Sequence, residues 1–294
     1  MPVGAEALSR PAPTFSGGIF LDIKLIALDL DGTLLGADHA HIPQRNLDAL
    51  RAAAERGVRI AIASGRSWSL IRETARDLGV VRYGITANGA YVLDAVTGET
   101  MGQTGMDREQ CAAIIGILRR YDLPYELYIN GDNYVQRSEL EGMAQYALSD
   151  QFRDMFLRNV TIVDDMLSAL DAGTPEKFDV FYVPPEVHDP LLAELEATGP
   201  FGRAGALGSN LEITAVGANK GAALAALSAQ LGLTAGEVMA FGDADNDLEM
   251  LSWAGWSFAM GNACPAAKAA ARYTTGTNAE GGVGMAVEQY VLGR

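Results

Sequence analysis

The stretch that most constrains this 294-residue chain is the largely apolar run Ile23-Lys24-Leu25-Ile26-Ala27-Leu28, followed at once by Asp29-Leu30-Asp31-Gly32-Thr33-Leu34. A short β-forming run that stops at a turn signal reads as a buried strand. Two carboxylates two residues apart therefore sit where a strand ends and the chain turns at a glycine. In an open parallel sheet, ligands collect at the carboxyl ends of the strands. There one carboxylate can attack phosphorus while the other handles protons, with a cation between them. Taken alone, the segment reads as well as a strand followed by an ordinary Asp-Gly turn.

The surrounding pattern supplies the sheet. Pro43 to Glu55 has helical spacing, with Leu47, Leu50 and Ala54 on one face and Gly57 as the stop. Val58 to Ala63 reads as a second strand, ending at Ser64-Gly65-Arg66. A helix from Trp68 to Leu78 and a short strand at Tyr83 to Thr86 follow. This βαβα order implies a parallel sheet with right-handed crossovers. Near Tyr91 the character changes. Tyr91–Asp94 and Glu99–Met101 read as a hairpin, and Arg108 to Tyr121 as a helix. Tyr125–Ile129 and Tyr134–Arg137 read as strands, Glu139–Phe156 as a helix and Phe178–Val183 as a strand closed by Pro184-Pro185. A helix from His188 to Thr198 completes the series. Such runs suggest an α+β unit inserted into the sheet domain. The sheet pattern resumes at Leu211, with a helix at Lys220–Leu231 and strands at Val238–Phe241 and Ser257–Met260. The expected fold class is therefore α/β. Residues 22–90 and 207–294 form a Rossmann-like parallel-sheet core, 91–206 the α+β insertion and 1–21 a tail.

Composition narrows the function. Apolar residues make up 49% of the chain, a globular proportion. Lys and Arg number 22 against 37 Asp and Glu, giving a net charge of −15. This balance argues against nonspecific nucleic-acid binding and against an anionic membrane surface. A phosphorylated substrate then needs a site made locally electropositive by a metal and a few chosen cations. Cys111 and Cys264 lie far apart and read as reduced thiols. No apolar run approaches the ~20 residues of a membrane span. Pro2, Pro11, Pro13, Gly17 and Gly18 give the first twenty or so residues the character of a flexible tail, not a secretory signal. A cytoplasmic location is expected by default.

Three further segments carry chemistry. Asp243 lies in Gly-Asp-Ala-Asp-Asn-Asp, again just past an apolar strand, where a polar turn or helix start is the ordinary reading. Yet Asp243, Asp245 and Asp247 put three carboxylates into five residues, which repel one another unless a cation or lysine intervenes. Hard oxygen ligands favour Mg2+. Asp247 reads as a supporting group or lysine partner, and Asp245 as exposed. Lys220 opens a helix at Asn-Lys-Gly, against the helix dipole, which suggests another task for it. Ser64 can donate a hydrogen bond to a phosphoryl oxygen, although Ser-Gly-Arg also suits a plain turn.

Together, and in this order, Asp-Leu-Asp-Gly-Thr-Leu, Ser-Gly-Arg, Asn-Lys-Gly and Gly-Asp-Ala-Asp-Asn-Asp resemble the motifs of the haloacid dehalogenase (HAD) superfamily of phosphotransferases. Thr86-Ala-Asn-Gly-Ala90 and Gly261-Asn-Ala263, with Lys268 following, resemble its Cof-type branch, subfamily IIB, which carries a large α+β cap. The resemblance covers nearly the whole chain beyond the tail. It implies Asp29 as the nucleophile forming an aspartyl-phosphate and Asp31 as the acid, then base. Asp29, the Asp31 carbonyl and Asp243 would hold Mg2+. Ser64, Gly65, Arg66 and Lys220 would hold the phosphoryl group, and Asn246 and Asp247 would support metal or lysine. The expected activity is Mg2+-dependent hydrolysis of a small phosphorylated metabolite, with a sugar phosphate first. Specificity is expected in the cap. Arg137, Lys177 and His188 are candidates there, although each reads more readily as a surface residue. Asn88, where sheet domain and cap meet, is a better one. A phosphomutase of the phosphomannomutase type is the enzymatic alternative. A non-catalytic sensor is the other, against which stand Asp29 and Asp243. The pumps of the superfamily lack an acid at the position of Asp31. The oligomeric state stays open.

Overall fold

A computed structural model describes residues 21–140, 150–204 and 210–294. The expected tail over residues 1–20 and the middle of the expected helix Glu139–Phe156, residues 141–149, lie outside the described residues. In chain order the strands are β1 (Leu25–Leu28), β2 (Arg59–Ala63), β3 (Val81–Thr86), β4 (Tyr91–Asp94), β5 (Thr100–Gln103), β6 (Tyr125–Ile129) and β7 (Asp132–Gln136). Then come β8 (Thr161–Val163), β9 (Pro175–Val180), β10 (Gly202–Ala204), β11 (Leu211–Thr214), β12 (Val238–Gly242), β13 (Trp256–Ala259) and β14 (Tyr273–Thr274). The chain divides into two compact units. One holds residues up to Ala63, Ala75–Tyr83 and Lys220–Arg294; the other holds Ser64–Thr74 and Gly84–Asn219. The fold belongs to the expected α/β class.

In the first unit, strands run in the order β14-β13-β12-β1-β2, every neighbouring pair parallel. All four residues of β1 are buried, as are all five of β12, so both read as continuous apolar runs and not as alternating ones. Leu28 stands opposite Phe241 in the register, so β1 and β12 end side by side. The helix Gln44–Glu55 turns a slightly different face inward than its leucines suggest. Asn46, Ala49, Leu50 and Ala53 are buried, while Leu47 and Ala54 flank them half-buried. The displaced member is polar. Asn46 is buried because its amide donates to the Leu34 carbonyl and accepts from the Gly284 N–H.

In the second unit, β4 and β5 form an antiparallel hairpin. A six-stranded sheet runs β10-β11-β9-β6-β7-β8, antiparallel except for the β7/β8 pair. Ile114, Ile115 and Leu118 of the helix Arg108–Arg120 pack with Phe178, Leu191 and Leu195 in its core. β9 starts three residues before the expected Phe178 and ends at Val180. The following helix starts at Pro185, where a proline in the first turn sacrifices no hydrogen bond. The short β8, β10 and Met166–Ala169 helix span too few residues for a periodic signal. Cys111 and Cys264 are free thiols, the first buried and the second half-buried. No helix among the described residues is long and apolar enough to cross a membrane.

Candidate active site

The parallel pairing of β1 with β12 brings Asp29 and Asp243, 214 positions apart in sequence, to one sheet edge. The Asp29 N–H donates to the Phe241 carbonyl at 3.0 Å, which extends the ladder by one residue and then releases the chain. Leu30–Leu34 makes a wide turn with Gly32 at φ +76°, a left-handed conformation open to glycine at little cost. A Cβ on Gly32 would also lie 2.4 Å from Oδ2 of Asp243, so this position must be bare for the two aspartate segments to meet. The next residue, Thr33, is fully buried and donates its hydroxyl to Oδ1 of Asp243 at 2.8 Å.

Lys220 begins the helix Lys220–Gln230 and is fully buried. Its ammonium donates to Oδ1 of Asp29 at 2.6 Å and to Oδ1 of Asp247 at 2.7 Å. These two carboxylates answer the helix-dipole problem seen in the sequence. The glycine of Asn-Lys-Gly has its own reason. A Cβ on Gly221 would come within 2.4 Å of the Glu249 backbone, so only glycine lets this helix lie so close to the helix Leu248–Trp253. Asp247 spends its other oxygen on the N–H groups of Asp243 and Ala244, which closes the aspartate-rich turn. Asp247 is thus a lysine partner. Asp245 is exposed, and Asn246 and Asp31 are half-buried.

The electrostatics follow from three carboxylates sharing one cation. Burial pushes Asp29 well above its ordinary value and the Asp247 charge adds to this, against the pull of Lys220. Asp243 is raised as well, by burial first, with the Thr33 hydrogen bond opposing. Burial draws Lys220 down, but Asp247 and Asp29 outweigh it and the net shift is upward. An ion pair ordinarily lowers its acid. Asp29 goes up because one ammonium cannot offset desolvation and two further anions. The cluster therefore calls for more positive charge. Asp29, Asp243 and Asp247 each bring a carboxylate oxygen within 4.8 Å of the others. Such hard donors suit Mg2+. Asp247 is already occupied by Lys220 and two N–H groups, so Asp29 and Asp243 are the better donors.

Several residues that sequence reasoning missed hold the turn after Asp29. Asn262 donates to the Gly32 carbonyl, Asn46 to that of Leu34 and Asn278 to that of Leu35. Asn262 also accepts from the Asn278 N–H, and Lys268 ties down the Gly261 carbonyl. Asn262 and Lys268 belong to segments the sequence singled out, whereas Asn46 and Asn278 carried no signal.

The remaining candidates lie in the second unit. Ser64 is buried, and its Oγ accepts from the Arg66 N–H at 3.1 Å, with Gly65 and Arg66 half-buried. Asn88 is buried at φ +55° and donates to Glu212. Arg137 and His188 have exposed side chains, paired with Asp164 and Asp189. Lys177 is the exception: expected at the surface, it is fully buried. Asp179 and Glu212, its partners, stand on the same and the neighbouring strand, and offset the desolvation that keeps lysines outside.

The family model of haloacid dehalogenase-like hydrolases matches residues 26–287. The chain belongs to that family. A Bacillus subtilis 5-amino-6-(5-phospho-D-ribitylamino)uracil phosphatase is 31% identical over 277 residues, 92% of this chain and 97% of that protein. An Escherichia fergusonii HMP-PP phosphatase is 32% identical over 254 residues, 84% of this chain and 87% of that protein. The crystal structure of a haloacid dehalogenase-like hydrolase from Bacteroides thetaiotaomicron, 28% identical, superposes with a TM-score of 0.77 over 91% of this chain and 99% of that one. The haloacid dehalogenase-like chain described here is of the Cof type and is an enzyme, a phosphoric monoester hydrolase.

Proposed function

We propose that the chain is a Mg2+-dependent phosphatase of a small phosphorylated metabolite, acting through an aspartyl-phosphate on Asp29. The observation that carries this reading is the buried Asp29 carboxylate at the sheet edge, held by Lys220 and set beside Asp243. A carboxylate oxygen of Asp29 attacks phosphorus, and the bond from phosphorus to the ester oxygen breaks. Asp31 gives its proton to that leaving oxygen. It then takes a proton from water, whose oxygen attacks the phosphorus of the aspartyl-phosphate and frees the Asp29 carboxylate with inorganic phosphate. Mg2+ bound among the Asp29 and Asp243 carboxylates and the Asp31 carbonyl would offset the repulsion between nucleophile and phosphoryl oxygens. Lys220 and Ser64 hold the phosphoryl group, with Gly65 and Arg66 shaping the Ser64 loop. Residues 91–206 act as the cap that selects the substrate and excludes water.

A sugar phosphate is the leading substrate class. The two relatives named above are phosphatases of a phosphorylated ribitylamino-uracil and of HMP-PP, so these two compounds belong beside sugar phosphates in the assay. The test is phosphate release from such a panel with Mg2+ and after chelation. Turnover that vanishes with EDTA and returns with Mg2+, but poorly with Ca2+, supports the reading, since Ca2+ takes a larger and looser shell. Undiminished turnover after thorough chelation rules it out.

A further inference from the structure

We propose that Lys177, Glu212 and Asn88 form a positioning clamp that fixes the Ser64–Arg66 loop for phosphoryl binding. This rests on the function proposed above and assigns three residues to the geometry of one of its binding loops.

The clamp is continuous in the second unit. Lys177, in β9, donates its ammonium to the Gly65 carbonyl at 2.9 Å and to Oε1 of Glu212 at 2.5 Å. Oε2 of Glu212, in β11, accepts from the Asn88 side chain at 2.5 Å. The Asn88 N–H returns to the Ser64 carbonyl at 3.1 Å, and the Ala87 N–H binds the Arg66 carbonyl at 3.0 Å. The carbonyls of Ser64, Gly65 and Arg66 are thus each held by a donor outside the loop. Within the loop, the Arg66 N–H fixes the Ser64 oxygen.

Two features argue that this network does more than hold the fold together. Ala87 and Asn88 are consecutive non-glycine residues in the left-handed region, at φ +51° and +55°. Strained backbone of this kind persists only where surrounding contacts over-determine it, and it clusters at functional sites. The clamp supplies contacts that hold it: the Ala87 and Asn88 N–H groups on the loop carbonyls and the Asn88 amide on Glu212. The second feature is the buried lysine. A buried ion pair is a weak source of stability, because apolar residues of similar volume often replace it at no loss. What an apolar replacement cannot do is donate to a loop carbonyl 112 residues away. Lys177 also stands 5.1 Å over the Tyr128 ring, a cation–π contact that adds to the ammonium's hydrogen bonds.

The experiment measures kcat and KM for p-nitrophenyl phosphate with Mg2+ in the full chain. The variants are Lys177→Met, Glu212→Gln, Ser64→Ala and the Ser64→Ala/Lys177→Met double. Lys177→Met should lower kcat about 10- to 100-fold, the scale of an ångström-level misplacement. The double variant should be no worse than Ser64→Ala, because both changes disable one contact and coupled sites are not additive. Losses that multiply would show Lys177 acting apart from Ser64 and overturn the clamp. Should Lys177→Met fail to fold, Glu212→Gln decides. Its amide can still accept from Lys177 but presents a donor to Asn88, so it should lower kcat, and a further double, Ser64→Ala/Glu212→Gln, should be no worse than Ser64→Ala. Wild-type kcat in a folded Glu212→Gln or Lys177→Met overturns the clamp alone. A wild type that releases no phosphate from any ester overturns the functional reading itself.

Discussion

Replacing Lys220 by methionine tests the charge balance of the candidate site. The ammonium is fully buried and serves Asp29 and Asp247 at 2.6 and 2.7 Å. Methionine fills much of its volume but leaves two buried carboxylates facing Asp243 without a cation. Removing one partner of a buried pair costs roughly 3–5 kcal/mol. With two carboxylates on one cation, the upper end is expected. Against a total stability of ~5–15 kcal/mol this is a large share. At about 2–4 °C per kcal/mol, the melting temperature should fall by roughly 6–20 °C. Urea unfolding in EDTA, followed by the fluorescence of the three tryptophans, gives the difference directly. Its pH dependence adds a second constraint. Asp29 is already raised, and losing Lys220 raises it further. An acid whose folded pKa lies above its unfolded one makes folding take up a proton, so stability falls as pH rises above the ordinary carboxylate range near ~4. The deficit of the variant should therefore be smallest in acid and grow towards neutrality. Mg2+ should recover part of it by binding the folded carboxylates. A deficit below about 1 kcal/mol, or one that shrinks as pH rises, would refute the argument, because an unpaired buried anion cannot be that cheap.

Gly32→Ala should cost more activity than stability, since its Cβ would strike Asp243 at 2.4 Å and displace an oxygen proposed to hold Mg2+; Mg2+ titration should then show a raised half-activation concentration, and an unchanged one counts against the proposed site. Asp31→Asn should slow the first step far less for p-nitrophenyl phosphate than for an alkyl phosphate, because a good leaving group needs little protonation. Equal single-turnover losses on both esters would remove Asp31 as the acid. Burial, aided by Asp179, pushes Glu126 to about 8 against the hydrogen bonds from Tyr128 and Asn133. Its folded value lies above the ordinary ~4.3, so stability should fall as pH rises between these values, by at most ~1.4 kcal/mol per pH unit. Urea midpoints of Glu126→Gln over this range should lose that slope, and parallel curves for variant and wild type would contradict the assignment.

Much of this protein was readable one segment at a time. A strand announces itself by a short apolar run, and an aspartate directly after it stands at the sheet edge whatever the rest of the chain does. That local logic put Asp29 and Asp243 at strand ends, and the awkward place of Lys220 at a helix start suggested another task for it. Other features depended on who meets whom. Lys177 looks like a surface lysine because burial of a charge is decided by neighbours, and Glu212 is 35 residues away. Asn46 sits where an apolar residue is expected, because Leu34 and Gly284 offer it an acceptor and a donor once the chain has folded. Thr33 reads as a turn residue until β12 places Asp243 beside it. Periodicity reports the apolar face of an element. The pairing of buried polar groups is a property of tertiary contact, and only folding brings together the groups that satisfy one another.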